Sequence, residues 1–199
     1  MGEFYNNQWR LPNNENKDKS SNYSMNFDSA SSQYINAGDS DVFSFTNGSN
    51  DLPFTFSSWV YFDSTSGSRA ILGKDNGTTQ REYALFSTNN GTLKIFLKNL
   101  NTGTQCHRET DNAVFSTGQW YHVAVLYDGS GGSTAANGIT LYIDGTVAAS
   151  TAVNHGSYSH MSKTTADFNI GRYSGAFADF SGKIDHVAIF DYVLSSSQI

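Results

Sequence analysis

The feature that most constrains the fold is the stretch of residues 120–145, which has the pattern of two antiparallel strands. Its first half, WYHVAVLYD, places apolar side chains on both faces, which favours a central strand of a sandwich. After a Gly/Ser/Asn loop, ITLYID alternates Ile139, Leu141 and Ile143 with Thr140 and Tyr142. An Asp-Gly pair at 144–145 then supplies the positive φ angles that a two-residue hairpin turn needs. This stretch predicts an all-β protein.

Further strand patterns lie on both sides of this hairpin. They are YSMNF from Tyr23, QYINAG from Gln33, VFSF from Val42, LPFTFSSWVYFD from Leu52, AILGK from Ala70, YALFS from Tyr83, LKIFLK from Leu93, FNIGR from Phe168 and GKIDHVAIFD from Gly182. About a dozen short strands joined by polar turns predict two facing antiparallel sheets.

Length and composition fit one domain preceded by a polar segment. The chain has 199 residues, of which 14% are aromatic and only two are proline. We expect residues 1–19 to be a linker or docking arm and residues 20–199 to form the domain. The formal charge of −6, without a cluster of Lys and Arg, argues against a nucleic-acid partner.

The sequence also limits disulfides and membrane insertion. Cys106 is the only cysteine, so we expect no intrachain disulfide and no CxxC motif. The first residues lack the apolar core of a signal peptide, and no run of 18 apolar residues occurs. We therefore expect no membrane insertion by this chain.

Four segments, in this order, resemble the laminin G-like or concanavalin A-like domains. They are YSMNFDSASSQYINAG; FTFSSWVYF with AILGKDNG; GQWYHVAVLYDG with GITLYIDGTVAA; and FNIGR with FSGKIDHVAIFDYVLSSSQI. The resemblance covers residues from about 23 to 199 and implies an antiparallel two-sheet jelly roll; the last segment is also similar to the end of pentraxins. It implies binding rather than catalysis, commonly to glycans or cell-surface proteins and often with calcium.

Catalytic motifs are broken or absent. Some hydrolases of this fold carry E-x-D-x-x-E on one strand, which places carboxylates across the scissile bond. Glu109 and Asp111 fit this pattern, but Val114 stands where the last glutamate is required. No G-x-S-x-G nucleophile motif occurs. His122 is predicted to be a hydrogen-bonded histidine of the core. We therefore expect that the protein is not an enzyme.

Two pairs of residues are candidates for calcium, which needs several oxygen ligands from different loops. Asp28 follows the first strand and Asp185 lies on the last, and these strands are neighbours in the implied architecture. Two approaching carboxylates would repel unless a cation lies between them. The alternative pair, Asp75 and Asn76, falls where pentraxins carry an Asp-Asn calcium pair, but Arg172 would oppose an ion there. A third cluster, without a known spacing, comprises Asp39, Asp41 and Asp51.

Glycan binding depends on aromatic rings that stack on the C–H surface of a sugar and on planar polar groups for its hydroxyls. Loops supply both, although each aromatic ring has packing within its own loop as an alternative. The candidate ligand residues are Asn154, His155 and Tyr158; Arg172 and Tyr173, with Phe177; and Gln80 and Arg81.

The leading hypothesis is a non-catalytic binding module that recognises a glycan or a cell-surface receptor. We expect it to be one domain of a larger secreted, phage or viral surface protein, and so to work outside the cell or on a virion. The alternative is a structural, oligomerising virion decoration domain without a small ligand, for which a homo-oligomer is expected. A divergent glycoside hydrolase is the third hypothesis.

Overall fold

The computed structural model describes residues 24–173 and 178–199. The predicted linker 1–19, Tyr23 and Phe177 therefore lie outside the described residues. Short 3₁₀ helices occupy Ser29–Ser31, Asp41–Phe43 and Gly132–Gly138. The strands are β1 (Met25–Phe27), β2 (Ile35–Asn36), β3 (Phe54–Phe62), β4 (Arg69–Asp75), β5 (Arg81–Ser87), β6 (Leu93–Asn99), β7 (Thr104–Thr110), β8 (Trp120–Tyr127), β9 (Ile139–Ile143), β10 (Thr146–Val147), β11 (Ser150–Val153), β12 (Phe168–Ile170) and β13 (Gly182–Phe190).

These strands form two antiparallel sheets, which confirms the predicted sandwich. The six-stranded sheet has the order β1-β13-β3-β8-β9-β10, and the seven-stranded sheet has the order β11-β7-β6-β5-β4-β12-β2. The first and last strands are neighbours, as expected, with Phe27 opposite Gly182. Within the described ranges, no helix has the length and apolar composition needed to cross a membrane.

Aromatic side chains fill the space between the sheets. Phe54 and Phe56 of β3 are fully buried and stack with ring centroids 4.4 Å apart. The ring of Phe56 also lies 5.2 Å from that of Tyr83 on β5, a contact that joins the two sheets. Full burial of one large apolar side chain stabilises the fold by about 1.5–3 kcal/mol, so this shared core holds the sheets together.

The central hairpin forms as predicted. β8 lies between β3 and β9, and Ile143 pairs with Thr146 across the turn. The turn residues Asp144 and Gly145 have φ angles of 50° and 73°, and positive φ at both positions is typical of a type I′ turn. One detail differs from the prediction: Trp120, at the start of β8, is 39% exposed, because its end of the outer face has no further layer above it.

The segment VFSF, predicted as a strand, instead begins with the 3₁₀ helix Asp41–Phe43. This turn leaves Val42 exposed and places the ring of Phe43 on that of Phe168, with centroids 4.5 Å apart. Phe45 enters the core. Packing of two phenylalanines, rather than strand propensity, therefore decides the local conformation.

A buried carboxylate ties the long segment after β11 to the sandwich. Asp51 is 5% exposed and accepts hydrogen bonds from the hydroxyls of Tyr127 at 2.7 Å and Tyr158 at 2.9 Å, and from the amide of Met161 at 2.5 Å. Burial raises the pKa of Asp51 because desolvation outweighs these hydrogen bonds. Asp51 thus acts as a structural acceptor.

We expect Asp51→Ala to lower the free energy of unfolding by about 2–4 kcal/mol, because two buried hydroxyls and an amide lose their acceptor. Asp51→Asn retains an acceptor and the shape, so it should destabilise the fold less. Urea denaturation followed by circular dichroism measures both effects.

A comparison of Asp51→Asn with the wild type tests the pKa of Asp51. A carboxyl whose pKa is raised by folding contributes stability that is fully present below its unfolded pKa and is lost as pH rises through its folded pKa. The difference in unfolding free energy between Asp51→Asn and the wild type should therefore move in favour of asparagine over the pH range that begins at the unfolded pKa of about 4. A constant difference over this range would contradict the raised pKa.

Candidate functional site

The outward-facing side chains of the seven-stranded sheet form a mixed aromatic and charged surface. Tyr83 and Leu85 of β5 point into the core, so Phe86 points outward, and β6 and β7 alternate in the same way. Arg81 lies on the same side as Phe96 because the pairing of β4 with β5 shifts register between Lys74 and Asp75. We call this surface the cationic face. Its members are Asp75, Arg81, Phe86, Lys94, Phe96, Lys98, Gln105, His107 and Glu109.

Arg81 and Tyr173, both predicted as ligand residues, come together on the cationic face. The ring of Tyr173 lies 5.0 Å from that of Phe86 and 5.9 Å from that of Phe96. The guanidinium carbon of Arg81 lies 5.2 Å from the centroid of Phe96. Phe86 and Phe96 point outward yet are only 7% and 3% exposed, because Tyr173 and Arg81 rest on them. The two phenyl rings therefore form a base for both candidate ligand groups.

A buried carboxylate orients Arg81. The Nε atom of Arg81 lies 2.9 Å from Oδ2 of Asp75, whose side chain is fully buried. Burial raises the pKa of Asp75, and the hydrogen bond and charge of Arg81 oppose this shift. A cation next to a buried acid is held firmly, since separating the two would leave an unpaired charge in a site of low dielectric constant.

Lys98 also lies on this face, and it forms no ion pair with a carboxylate of the described residues. Its Nζ donates to the carbonyl of Gly103 at 2.9 Å, whereas Lys94 pairs with Glu109 at 3.1 Å. Burial lowers the pKa of Lys98 and the like charge of Arg81 lowers it further, while the charge of Asp75 opposes this shift. An anion beside Lys98 would relieve this repulsion.

A depression of about 560 Å³ adjoins the cationic face. This volume lies within the range of about 300–1,000 Å³ that is usual for ligand pockets. The depression is lined mainly by Thr92, His107, Glu109, Thr151 and Val153. It lies one strand away from the Tyr173 group, because His107 is the cross-strand partner of Phe96. The two neighbouring features together are the candidate site.

The predicted binding loop around Tyr158 has another role. Tyr158 is 2% exposed and donates to buried Asp51, so its ring has no free face for a sugar and that prediction is wrong. Asn154 accepts a hydrogen bond from the amide of Ala136 at 2.9 Å and so braces a neighbouring loop. His155 is exposed, and its part in binding stays a prediction, as does that of Asn154.

Arg172 and Gln80 lie away from the group formed by Arg81 and Tyr173. Arg172 donates twice to the carboxylate of Asp179, at 2.6 and 2.7 Å, and its guanidinium carbon lies 4.0 Å from the ring centroid of Tyr34. The hydrogen bonds to Asp179 raise the pKa of Arg172, and its charge is neutralised there. Gln80 accepts from the amide of Thr165 at 3.0 Å. Both side chains are therefore engaged by other groups of the protein.

The structure does not bring Asp28 and Asp185 together. Phe27 pairs with Gly182, so Asp28 is level with residue 181 and lies four residues from Asp185 along β13. At about 3.4 Å per residue this separates them by roughly 13 Å. Asp28 instead caps a 3₁₀ helix by accepting from the amide of Ala30 at 2.9 Å. The prediction of neighbouring strands is correct, but the register separates the carboxylates.

The alternative calcium pair is also engaged by protein groups. Asp75 pairs with Arg81, and Oδ1 of Asn76 accepts from the amides of Thr78 and Gln80, both at 3.0 Å. Within residues 24–173 and 178–199, no three side chains of His, Cys, Asp or Glu are grouped to hold a metal ion. The residues predicted as calcium ligands therefore do not fit an ion in this arrangement.

We expect the midpoint of thermal unfolding to be the same in excess calcium and in excess chelator. An ion that bound only the folded state would raise this midpoint. Differential scanning calorimetry provides the measurement, with the double variant Asp28→Asn, Asp185→Asn as the control. If calcium raised the unfolding midpoint of the wild type but not that of the double variant, the result would contradict the separation of these two acids.

Solved structures of carbohydrate-binding domains and of a pentraxin are similar to this chain. The CBM40 domain of Ruminococcus gnavus IT-sialidase, bound to α2,3-sialyllactose, has 16% identity and a TM-score of 0.59 over 88% of this chain and 95% of that chain. Domain 4 of AbnA, a GH43 extracellular arabinanase of Geobacillus stearothermophilus in complex with arabinotriose, has 18% identity and a TM-score of 0.56 over 88% and 72%. A heptameric SAP-like pentraxin of Limulus polyphemus has 18% identity and a TM-score of 0.52 over 74% and 67%. These identities establish a shared fold.

Family membership comes from the sequence itself. No curated protein sequence matches the chain significantly. The family model Laminin_G_3, described as the concanavalin A-like lectin/glucanases superfamily, matches residues 28–199. This range begins directly after β1 and contains every other strand of the two sheets. The chain therefore belongs to the Laminin_G_3 family of the concanavalin A-like lectin/glucanase superfamily.

Proposed function

We propose that the protein is a non-catalytic carbohydrate-binding module that contacts its glycan through the cationic face. The observation that carries this proposal is the convergence of Arg81 and Tyr173 on Phe86 and Phe96, beside a depression of ligand size. A tyrosine ring can stack on a sugar, and a guanidinium held by a buried acid donates in a fixed direction. The similar folds that bind sialyllactose and arabinotriose support carbohydrate as the ligand class.

The charge of the cationic face favours a glycan that carries a carboxylate. Arg81 pairs with Asp75 and Lys94 pairs with Glu109, so among the described residues Lys98 is the cation of this face whose charge no ion pair offsets; Asp111 of the adjoining depression carries a negative charge. The carboxylate of an acidic sugar beside Lys98 and Arg81 would accept charge-assisted hydrogen bonds. Sialyllactose is therefore the first probe, and lactose is its neutral counterpart.

The carboxylates beside the depression support binding rather than hydrolysis. A glycoside hydrolase needs one carboxylic acid with a raised pKa and a second carboxylate across the bond. Burial raises the pKa of Glu109, but hydrogen bonds from Thr92 and Lys94 outweigh it and the pKa is lowered. Asp111 accepts from the hydroxyl of Thr151 at 2.7 Å. Glu109 therefore lacks the raised pKa of a general acid, and Asp111 is engaged by Thr151.

We further propose that the module works outside the cell as one domain of a larger secreted protein. The similar arabinanase domain comes from an extracellular enzyme, which supports this location. A cell-surface protein as the ligand and an oligomeric virion decoration domain are the competing hypotheses. Analytical ultracentrifugation separates the last of these, since a stable oligomer without glycan affinity would favour it.

Isothermal titration should show tighter binding of sialyllactose than of lactose. Tyr173→Ala should weaken binding of both sugars by about tenfold, because both lose the stacking ring. Lys98→Gln should weaken the binding of sialyllactose but not that of lactose, and it should reduce the salt dependence of sialyllactose binding, because Arg81 remains. Tyr192→Ala, which removes a tyrosine that is 49% exposed at the end of β13, is the matched control and should change nothing.

Circular dichroism and thermal unfolding of each variant establish that the fold is intact. If the wild type, Tyr173→Ala and Lys98→Gln had equal affinities for every sugar that binds, the glycan-binding site would lie elsewhere on the protein. Absence of binding by the wild type across an array of acidic and neutral glycans would refute the proposed function.

A further inference from the structure

The outer face of the six-stranded sheet carries a second aromatic surface, which the proposed function does not use. Trp59 of β3 pairs with His122 of β8, and Tyr61 pairs with Trp120. The ring centroids lie 5.3 Å apart in the first pair and 5.5 Å apart in the second. We call this surface the tryptophan face. Its members are Trp59, Tyr61, Trp120, His122, Lys183 and Asp185.

Both indole rings are open to solvent. Trp59 is 42% exposed and Trp120 is 39% exposed. The other end of the same sheet face is covered, because Ala124, Leu126 and Tyr142 form a cluster against which Ile199 packs. Two adjacent, partly exposed tryptophans form one aromatic patch, and aromatic side chains are typical of the lining of ligand sites.

Polar groups lie beside the rings. Nε2 of His122 is 2.8 Å from Oγ of Ser57, which fixes the imidazole next to Trp59. Burial lowers the pKa of His122, against the charge of Asp144, so the ring is neutral at neutral pH and has one donor and one acceptor. Trp59, His122 and Asp144 line a shallow depression of about 390 Å³. An indole next to a hydrogen-bonding imidazole and a carboxylate suits a sugar ring with hydroxyls at its edge.

The size of the open surface fits a small ligand better than a second protein. An aromatic side chain has at most about 250 Å² of surface, so two indoles at these exposures offer on the order of 200 Å². A stable protein interface buries about 800 Å² on each partner. A second copy of the chain would need several times the apolar area that the two tryptophans provide.

The charges of the tryptophan face favour a neutral ligand. Lys183 is its cation, and its Nζ lies 4.8 Å from the ring centroid of Tyr61. Asp185, the cross-strand partner of Trp59, and Asp144 carry the opposite charge. An acidic sugar would meet two carboxylates and one lysine, the reverse of the balance on the cationic face.

We propose that the tryptophan face is a second carbohydrate site, which binds a neutral, extended oligosaccharide of β-linked pyranoses. The C–H faces of successive sugar rings stack on Trp59 and Trp120, and their hydroxyls form hydrogen bonds with His122 and Asp144. The two tryptophans lie on neighbouring strands and two residues apart in register, so they present their rings along a line rather than at one point. The site is on the opposite sheet from the cationic face and does not depend on it.

Cellohexaose is the probe, and tryptophan fluorescence with isothermal titration is the measurement. In a Trp9→Phe background the remaining tryptophans are Trp59 and Trp120, so a fluorescence change on titration reports the proposed site directly. Trp59→Ala and Trp120→Ala should each lower the affinity for cellohexaose by about tenfold, whereas Trp59→Phe should retain most of the affinity. Val147→Ala, at an exposed residue on β10, is the matched control.

Further comparisons separate this site from the cationic face. Tyr173→Ala should leave cellohexaose binding unchanged, and Trp59→Ala should leave sialyllactose binding unchanged. Maltohexaose should bind more weakly, because its α-linked chain coils and does not present a flat row of rings. The proposal fails if cellohexaose gives neither heat nor fluorescence change, or if the double variant Trp59→Ala, Trp120→Ala binds it as the wild type does. It also fails if that double variant converts a dimer to a monomer in sedimentation, which would identify the face as an interface between copies of the chain.

Discussion

The interaction on which the candidate site depends is the buried ammonium group of Lys74. Its side chain is fully buried, and Nζ donates to Asp39 at 2.8 Å and to the carbonyls of Thr164 and Ala166 at 3.0 and 2.8 Å. Oε1 of Glu82, which is also buried, lies 3.3 Å away. A buried charge is tolerated only when its partners converge on it, so two distant parts of the chain, at Asp39 and at residues 164–166, are fixed relative to β4 and β5.

This arrangement also places Arg81 and Asp75 on the outer surface. The pairing of β4 with β5 shifts register between Lys74 and Asp75, with Tyr83 opposite the first and Arg81 opposite the second. Such a bulge re-aims the side chains next to it. Lys74 can therefore be buried with its partners while the adjacent Asp75 holds Arg81 against Phe96 on the other side. The position of Arg81 on the cationic face thus depends on the register shift beside the buried lysine.

Local patterns in the sequence predict the fold, but they do not specify the register between paired strands or which loop residues are buried. The hairpin at 120–145 and its Asp-Gly turn were predictable because both depend on neighbouring residues. The burial of Tyr158, which was predicted to contact ligand, could not be predicted because it depends on Asp51, which lies 107 residues earlier in the chain. Asp28 and Asp185 were separated by a register that alternation alone does not specify. His122 is hydrogen-bonded as predicted but faces outward, where it flanks an exposed tryptophan.

The tryptophan face depends on strand pairing that the sequence pattern does not specify. Trp59 and Tyr61 alternate with the core residues of β3, and Trp120 and His122 do the same on β8, but only the pairing of these strands makes one surface of four rings. The inner faces of both sheets are occupied by the shared core, so the two outer faces are free to differ in chemistry. One has an excess of cations around a tyrosine, and the other has exposed indoles with an excess of carboxylates. A single sandwich can therefore present two unlike ligand surfaces while its core stays the same.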